Sequence, residues 1–133
     1  MTIVKKILAV FAVFSLMAVL IAACGGGSGG STGGAGAGNN TVDMGDTNFL
    51  QNAITIKKGE SVNLVDDAAV VHIIQNGSWV NGAAEPRKEA GAPTVQVNFQ
   101  GNDQHPIGPF NTAGTFHVYC TVHQNMNLTV TVQ

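Results

Sequence analysis

Thr115-Phe116-His117-Val118-Tyr119-Cys120-Thr121-Val122-His123-Gln124-Asn125-Met126 reads as a strand that ends in a thiol and runs straight into a short loop. Alternation along the strand sets Phe116, Val118 and Cys120 on one face and His117 and Tyr119 on the other, so the thiol points inward where the strand ends. The spacing is Cys-x2-His-x2-Met, and a loop this short can return Cys120, His123 and Met126 to one point in space. Thiolate, imidazole and thioether are soft and intermediate donors, a set that suits copper cycling between Cu(I) and Cu(II).

The loop lacks a second imidazole, and His72 is the best candidate for it. His72 sits in Val70-Val71-His72-Ile73-Ile74, an apolar strand in which an isolated histidine needs a buried partner. A core histidine satisfied by hydrogen bonds is the other reading. Two histidines and a cysteine with a weak axial methionine form a defined copper site type, which favours His72 as a ligand. His105, in a Gly/Pro-rich stretch from Gly101 to Pro109, and His117, on the outward face of the cysteine strand, are expected at the surface.

Outward from this run the chain continues in β-branched alternation broken by turn signals, and no long stretch has helical periodicity. Expected strands are Ala53 to Lys57, Ser61 to Val65, Val70 to Ile74, Thr94 to Phe99, Thr115 to Cys120 and Leu128 to Val132. Turns are expected at Lys58-Gly59, Asp66-Asp67, Asn76-Gly77, Asn81-Gly82, Gly101-Asn102 and Ala113-Gly114. Ser78 to Pro93 is the least strand-like segment, either a short helix around Ala83 to Ala90 or a loop. The pattern predicts an all-β sandwich in one domain, residues 41–133.

The other end of the chain reads differently. Residues 1–23 combine Lys5 and Lys6 with the uncharged run Ile7 to Ile21 and small residues at Ala22 and Ala23, the signature of a secretory signal peptide. Ile21-Ala22-Ala23-Cys24 resembles the bacterial lipobox, which implies a lipidated Cys24 and a bacterial lipoprotein. An uncleaved membrane anchor is the alternative. Either way the rest of the chain is expected outside the cytoplasm, anchored to the cell membrane and facing the periplasm or the outer cell surface. Residues 24–40 then hold the lipidated cysteine and a linker, Gly25 to Gly38, made only of Gly, Ser, Thr and Ala; its r.m.s. span is roughly 20 Å.

Without Lys5 and Lys6, four of the six basic residues remain against eight acidic ones, a net charge of −4. The basic residues are two isolated pairs, Lys57-Lys58 and Arg87-Lys88, so no nucleic-acid partner is expected. Only two cysteines are present. With Cys24 lipidated, Cys120 has no disulfide partner, and an unpaired thiol in an oxidising compartment needs an occupant such as a metal.

From about Phe49 to Gln133 the chain resembles the cupredoxins, the type 1 blue copper proteins that include plastocyanin and amicyanin. The resemblance rests on Phe49, on Ile54-Thr55-Ile56-Lys57-Lys58-Gly59-Glu60-Ser61-Val62, on His72, on Gly114-Thr115-Phe116-x-Val118-Tyr119-Cys120-Thr121-x-His123, and on Met126. It implies a Greek-key β-sandwich of about seven to eight strands, one copper per domain, and single-electron transfer between redox protein donors and acceptors by a monomer that is not an enzyme. It also implies that His123 lies nearest the surface, beside a patch including Pro106, Ile107 and Pro109, with Tyr119 a second electron route or an ordinary strand tyrosine. Ile73 stands where the family often has Asn after the first histidine, Val122 and Gln124 stand where prolines are common, and Leu64 replaces a usual aromatic. The competing reading is a copper-delivery protein; such proteins offer exposed, exchangeable Met and His ligands, unlike an inward cysteine.

Overall fold

The computed structural model describes residues 40–133. The expected signal peptide, the expected lipidation at Cys24 and the expected linker, up to residue 39, lie outside the described residues. Asn40 is already tied into the domain: its Nδ2 donates to Glu60 Oε2 at 3.0 Å, and its carbonyl accepts the Asn63 N–H at 2.7 Å.

The strands are β1 (Thr41–Met44), β2 (Ala53–Ile56), β3 (Val62–Asp66), β4 (His72–Val80), β5 (Ala83–Pro86), β6 (Gln96–Phe99), β7 (Asp103–Ile107), β8 (Gly114–Cys120) and β9 (Asn127–Val132). One sheet runs β1-β3-β7 and the other β2-β9-β8-β4-β5, with β6 also pairing β4. The β1–β3 and β2–β9 pairings are parallel, and the others are antiparallel. Alternation makes the core. Val42 and Met44 of β1, Val62 and Leu64 of β3, Phe116 and Val118 of β8, and Leu128, Val130 and Val132 of β9 are all buried. Each such side chain contributes about 1.5–3 kcal/mol relative to exposure.

All six expected strands exist, and the structure adds β1, β5 and β7. The segment considered for a helix around Ala83 to Ala90 holds none: Ala83–Pro86 is the second arm of a hairpin with β4, and residues 87–90 follow without regular structure. Val80 pairs with Ala83 across Asn81 and Gly82, both at positive φ (50° and 80°), the two-residue turn whose twist matches the strands it joins. The turn expected at Asn76-Gly77 does not form, because Gly77 takes φ 128° inside β4 and lets the strand continue. The extended β4 is shared three ways: His72 to Gln75 pair with β6, Ile74 to Asn76 with β8, and Gly77 to Val80 with β5.

Candidate metal centre

Strand pairing brings the two ends of the site together. Cys120, the last residue of β8, lies opposite Ile74 of β4, two residues from His72. Both Cys120 and His72 are 0% exposed, so the thiol points inward as its strand phase requires. His123 arrives on the loop between β8 and β9. That loop closes on itself, with Cys120 N–H donating to the Met126 carbonyl at 3.0 Å and Met126 N–H to the His123 carbonyl at 3.3 Å. Asn125, at φ 63°, makes the bend. Thr121 N–H donates to the Ile73 carbonyl at 2.8 Å, so the backbone at Ile73 anchors the loop where an Asn side chain is absent.

Cys120 Sγ lies 3.7 Å from His72 Nδ1 and 3.5 Å from His123 Nδ1, and the two Nδ1 atoms are 3.1 Å apart. A point equidistant from the three atoms is roughly 2 Å from each, close to the imidazole bond length to a first-row metal ion and a little short of the thiolate one, about 2.3 Å. Among the described residues this is the one cluster of three metal-ligating groups. Burial pushes the His72 imidazole below its ordinary pKa. Asp66 opposes that shift and His123 adds to it, so His72 is held neutral and ready to ligate. Met126, 1% exposed, is buried on the same loop as His123. The donor set and spacing fit copper.

Other expected positions divide. Of the residues assigned to an electron-transfer surface, Pro106 and Pro109 are exposed, whereas Tyr119 and Ile107 are each 2% exposed. Tyr119 does lie on the face of β8 away from the core, but Trp79 covers it, ring against ring at 6.0 Å. Ile107 is buried because the Gly101 to Pro109 stretch contains β7, whose alternation turns Ile107 to the core. His105 and His117 are partly exposed, each beside a carboxylate: His105 by Asp103 at 3.4 Å and His117 by Glu89 at 2.8 Å. The reading of the sequence missed Asp66, which is 1% exposed and lies 3.8 Å from His72 Nε2. In Asp66-Asp67 it looked like turn punctuation.

Residues 37–133 match the family of copper binding proteins described as plastocyanin/azurin. The chain belongs to that family. This cupredoxin is 30% identical over 93 residues to plastocyanin from Ulva prolifera, spanning 68% of this chain and 92% of that one. Similar solved structures include amicyanin from Paracoccus versutus (Thiobacillus versutus), with TM-score 0.53 and 23% identity, covering 70% of this chain and 79% of that one. A purple cupredoxin from Nitrosopumilus maritimus has TM-score 0.53 and 20% identity over 70% of this chain and 98% of that one. At these identities the structural neighbours show the fold, an all-β sandwich. Copper is the cofactor of the family and of this cupredoxin.

Proposed function

We propose that this cupredoxin carries single electrons between redox proteins outside the cytoplasm, as a monomer held to a membrane by lipid on Cys24, and is a carrier rather than a catalyst. His72, Cys120 and His123 would hold the copper in this reading, with Met126 as a weaker fourth donor. Bound copper supplies a one-electron couple between Cu(I) and Cu(II).

The observation that carries the proposal is the convergence of Nδ1, Sγ and Nδ1 at mutual distances of 3.1–3.7 Å, with two of the three ligands on paired strands. His72 and Cys120 hold their positions through β4 and β8, so the donors need not rearrange when the charge at the site changes. His123 is the half-buried member of the three, and beside it Val122 is 51% exposed. That edge is the short exit for an electron. The signal-like residues 1–23 and the lipobox-like ending at Cys24 support the location.

The test is the visible spectrum of the copper-loaded protein and its Cys120→Ser variant. An intense thiolate-to-copper band is expected in the parent and none in the variant. Retention of that band by Cys120→Ser would overturn the assignment, and a colourless, labile copper complex of the parent would favour metal delivery instead.

A further inference from the structure

Asp66 closes β3 on the buried side of the strand, and its side chain and that of His72 are both 0% exposed. Its Oδ1 accepts the Ala68 N–H at 3.1 Å and lies 3.8 Å from His72 Nε2. Asp66 Oδ2 and His72 Nε2 are each buried without a hydrogen-bond partner. A carboxylate sequestered from water is costly unless something compensates it. Its cross-strand neighbour does not, because Asp66 is in register with Asp103 of β7, another acid. Asp103 Oδ2 is itself engaged by the Gln100 N–H at 3.1 Å and by His105 Nε2 at 3.4 Å. His72 is therefore the complementary group that faces Asp66. With Nδ1 turned to Cys120 and His123, the far nitrogen of the ring is the one presented to the carboxylate.

We propose that Asp66 is a positioning residue of the copper centre. Its carboxylate holds the Nε2–H of His72, which commits Nδ1 to the metal and keeps a negative charge behind the ligand that favours Cu(II) over Cu(I). This rests on the copper assignment of the previous subsection. A metal-bound imidazole generally donates its other N–H to a carboxylate, a backbone carbonyl or water, and that partner sets ring orientation and ligand basicity. At 3.8 Å the neutral ring and the carboxylate stand just beyond hydrogen-bond length, and closing the gap takes less than an ångström. The Gly45 backbone and the Asp46 carboxylate also act on the ring, with less influence than Asp66.

The experiment measures the reduction potential and visible spectrum of the full copper-loaded protein alongside Asp66→Asn, Asp66→Ser and Asp66→Glu. The Asn and Ser variants are expected to remain coloured and to shift the Cu(II)/Cu(I) equilibrium at least tenfold toward Cu(I), about 59 mV upward for a one-electron couple. Asp66→Glu, which keeps the charge, is expected to lie nearer the parent. Coloured Asn and Ser variants with a potential within about twofold of the parent equilibrium would overturn the proposal and leave the Gly45 carbonyl as the Nε2 partner. A colourless parent would instead defeat the copper assignment itself, so the two failures are distinguishable. Where neither variant folds, NMR of the reduced parent decides: a coupling across the hydrogen bond from His72 Nε2–H to the Asp66 carboxylate carbon supports the proposal, and a coupling to the Gly45 carbonyl carbon instead overturns it.

Discussion

The indole Nε1 of Trp79 donates to the carbonyl of Cys120 at 2.8 Å, fastening the β4–β5 hairpin to the last residue of the cysteine strand. Two more bonds join Trp79 to Asn127 at the far end of the ligand loop, Trp79 N–H to Asn127 Oδ1 at 2.7 Å and Asn127 Nδ2 to the Trp79 carbonyl at 3.0 Å. Gln124 Nε2 reaches the Gly82 carbonyl of the hairpin turn at 2.9 Å. The loop carrying His123 and Met126 is thus held at its start, middle and end. This bracing supplies stiffness that the sequence, with Val122 and Gln124 in place of prolines, does not advertise.

Trp79→Phe keeps an aromatic ring against Tyr119 but removes the donor to Cys120. Loss of this part-buried hydrogen bond is expected to cost about 1 kcal/mol, read by urea unfolding of the apo-protein. Copper should also leave faster in a chelator competition. Unchanged stability and unchanged release would show that the brace is idle.

Met126→Leu removes the thioether while keeping the buried volume, a swap that costs under about 1.5 kcal/mol in most cores. With a weak axial donor gone, Cu(II) loses more than Cu(I), so the reduction potential is expected to rise while the thiolate band persists. Voltammetry of the two proteins checks the direction; a potential that falls or stays put would remove Met126 from the ligand set.

Gly77→Ala tests the three-way sharing of β4. A Cβ there would clash with the Glu85 carbonyl and sit 2.8 Å from Arg87 N, both backbone atoms, at a φ of 128° that a side chain rarely tolerates. Destabilisation of about 2–4 kcal/mol is expected. Denaturant midpoints give the value, and a shift of only a few tenths would mean that β5 moves aside freely.

Glu89 offers a pH dependence with a defined sign. Burial alone raises its carboxyl, but the His117 imidazole and the N–H groups of Glu89 and His117 outweigh it, leaving the pKa below the ordinary value. A carboxyl with a depressed folded pKa contributes stability that is present above the unfolded value, about 4.3, and is lost as pH falls through the folded one. Acid titration of the apo-protein's stability should therefore show a loss of about 1 kcal/mol below that range, absent in Glu89→Gln. An identical titration of parent and variant would show that the pair carries no stability.

Tyr119, Ile107 and Asp66 mark where reading the chain alone stopped. Strand phase turned Tyr119 away from the core, which is correct, but the β4–β5 hairpin folds over that face and buries it beneath Trp79. Ile107 lay in a stretch with Gly101, Pro106, Gly108 and Pro109, where punctuation masked a five-residue strand at the edge of its sheet. An edge strand tolerates Pro106 because the missing N–H can face solvent. Asp66 beside Asp67 has the composition of a turn, and nothing local distinguishes a buried acid from an exposed one.

Donors within seven residues of one another can be read from the chain, because a strand end and one short loop leave Cys120, His123 and Met126 few places to go. The sequence alone therefore determined the β class, the chemistry of the loop and the inward thiol. Distance along the chain defeats such reading. The separation of 48 positions from His72 to Cys120 is closed only when β4 pairs with β8, and Asp66 and Trp79 acquire their roles only when other strands deliver them. Those partners were decided by the tertiary structure, because hydrogen bonds and burial between remote segments leave no periodic trace in the residues that make them.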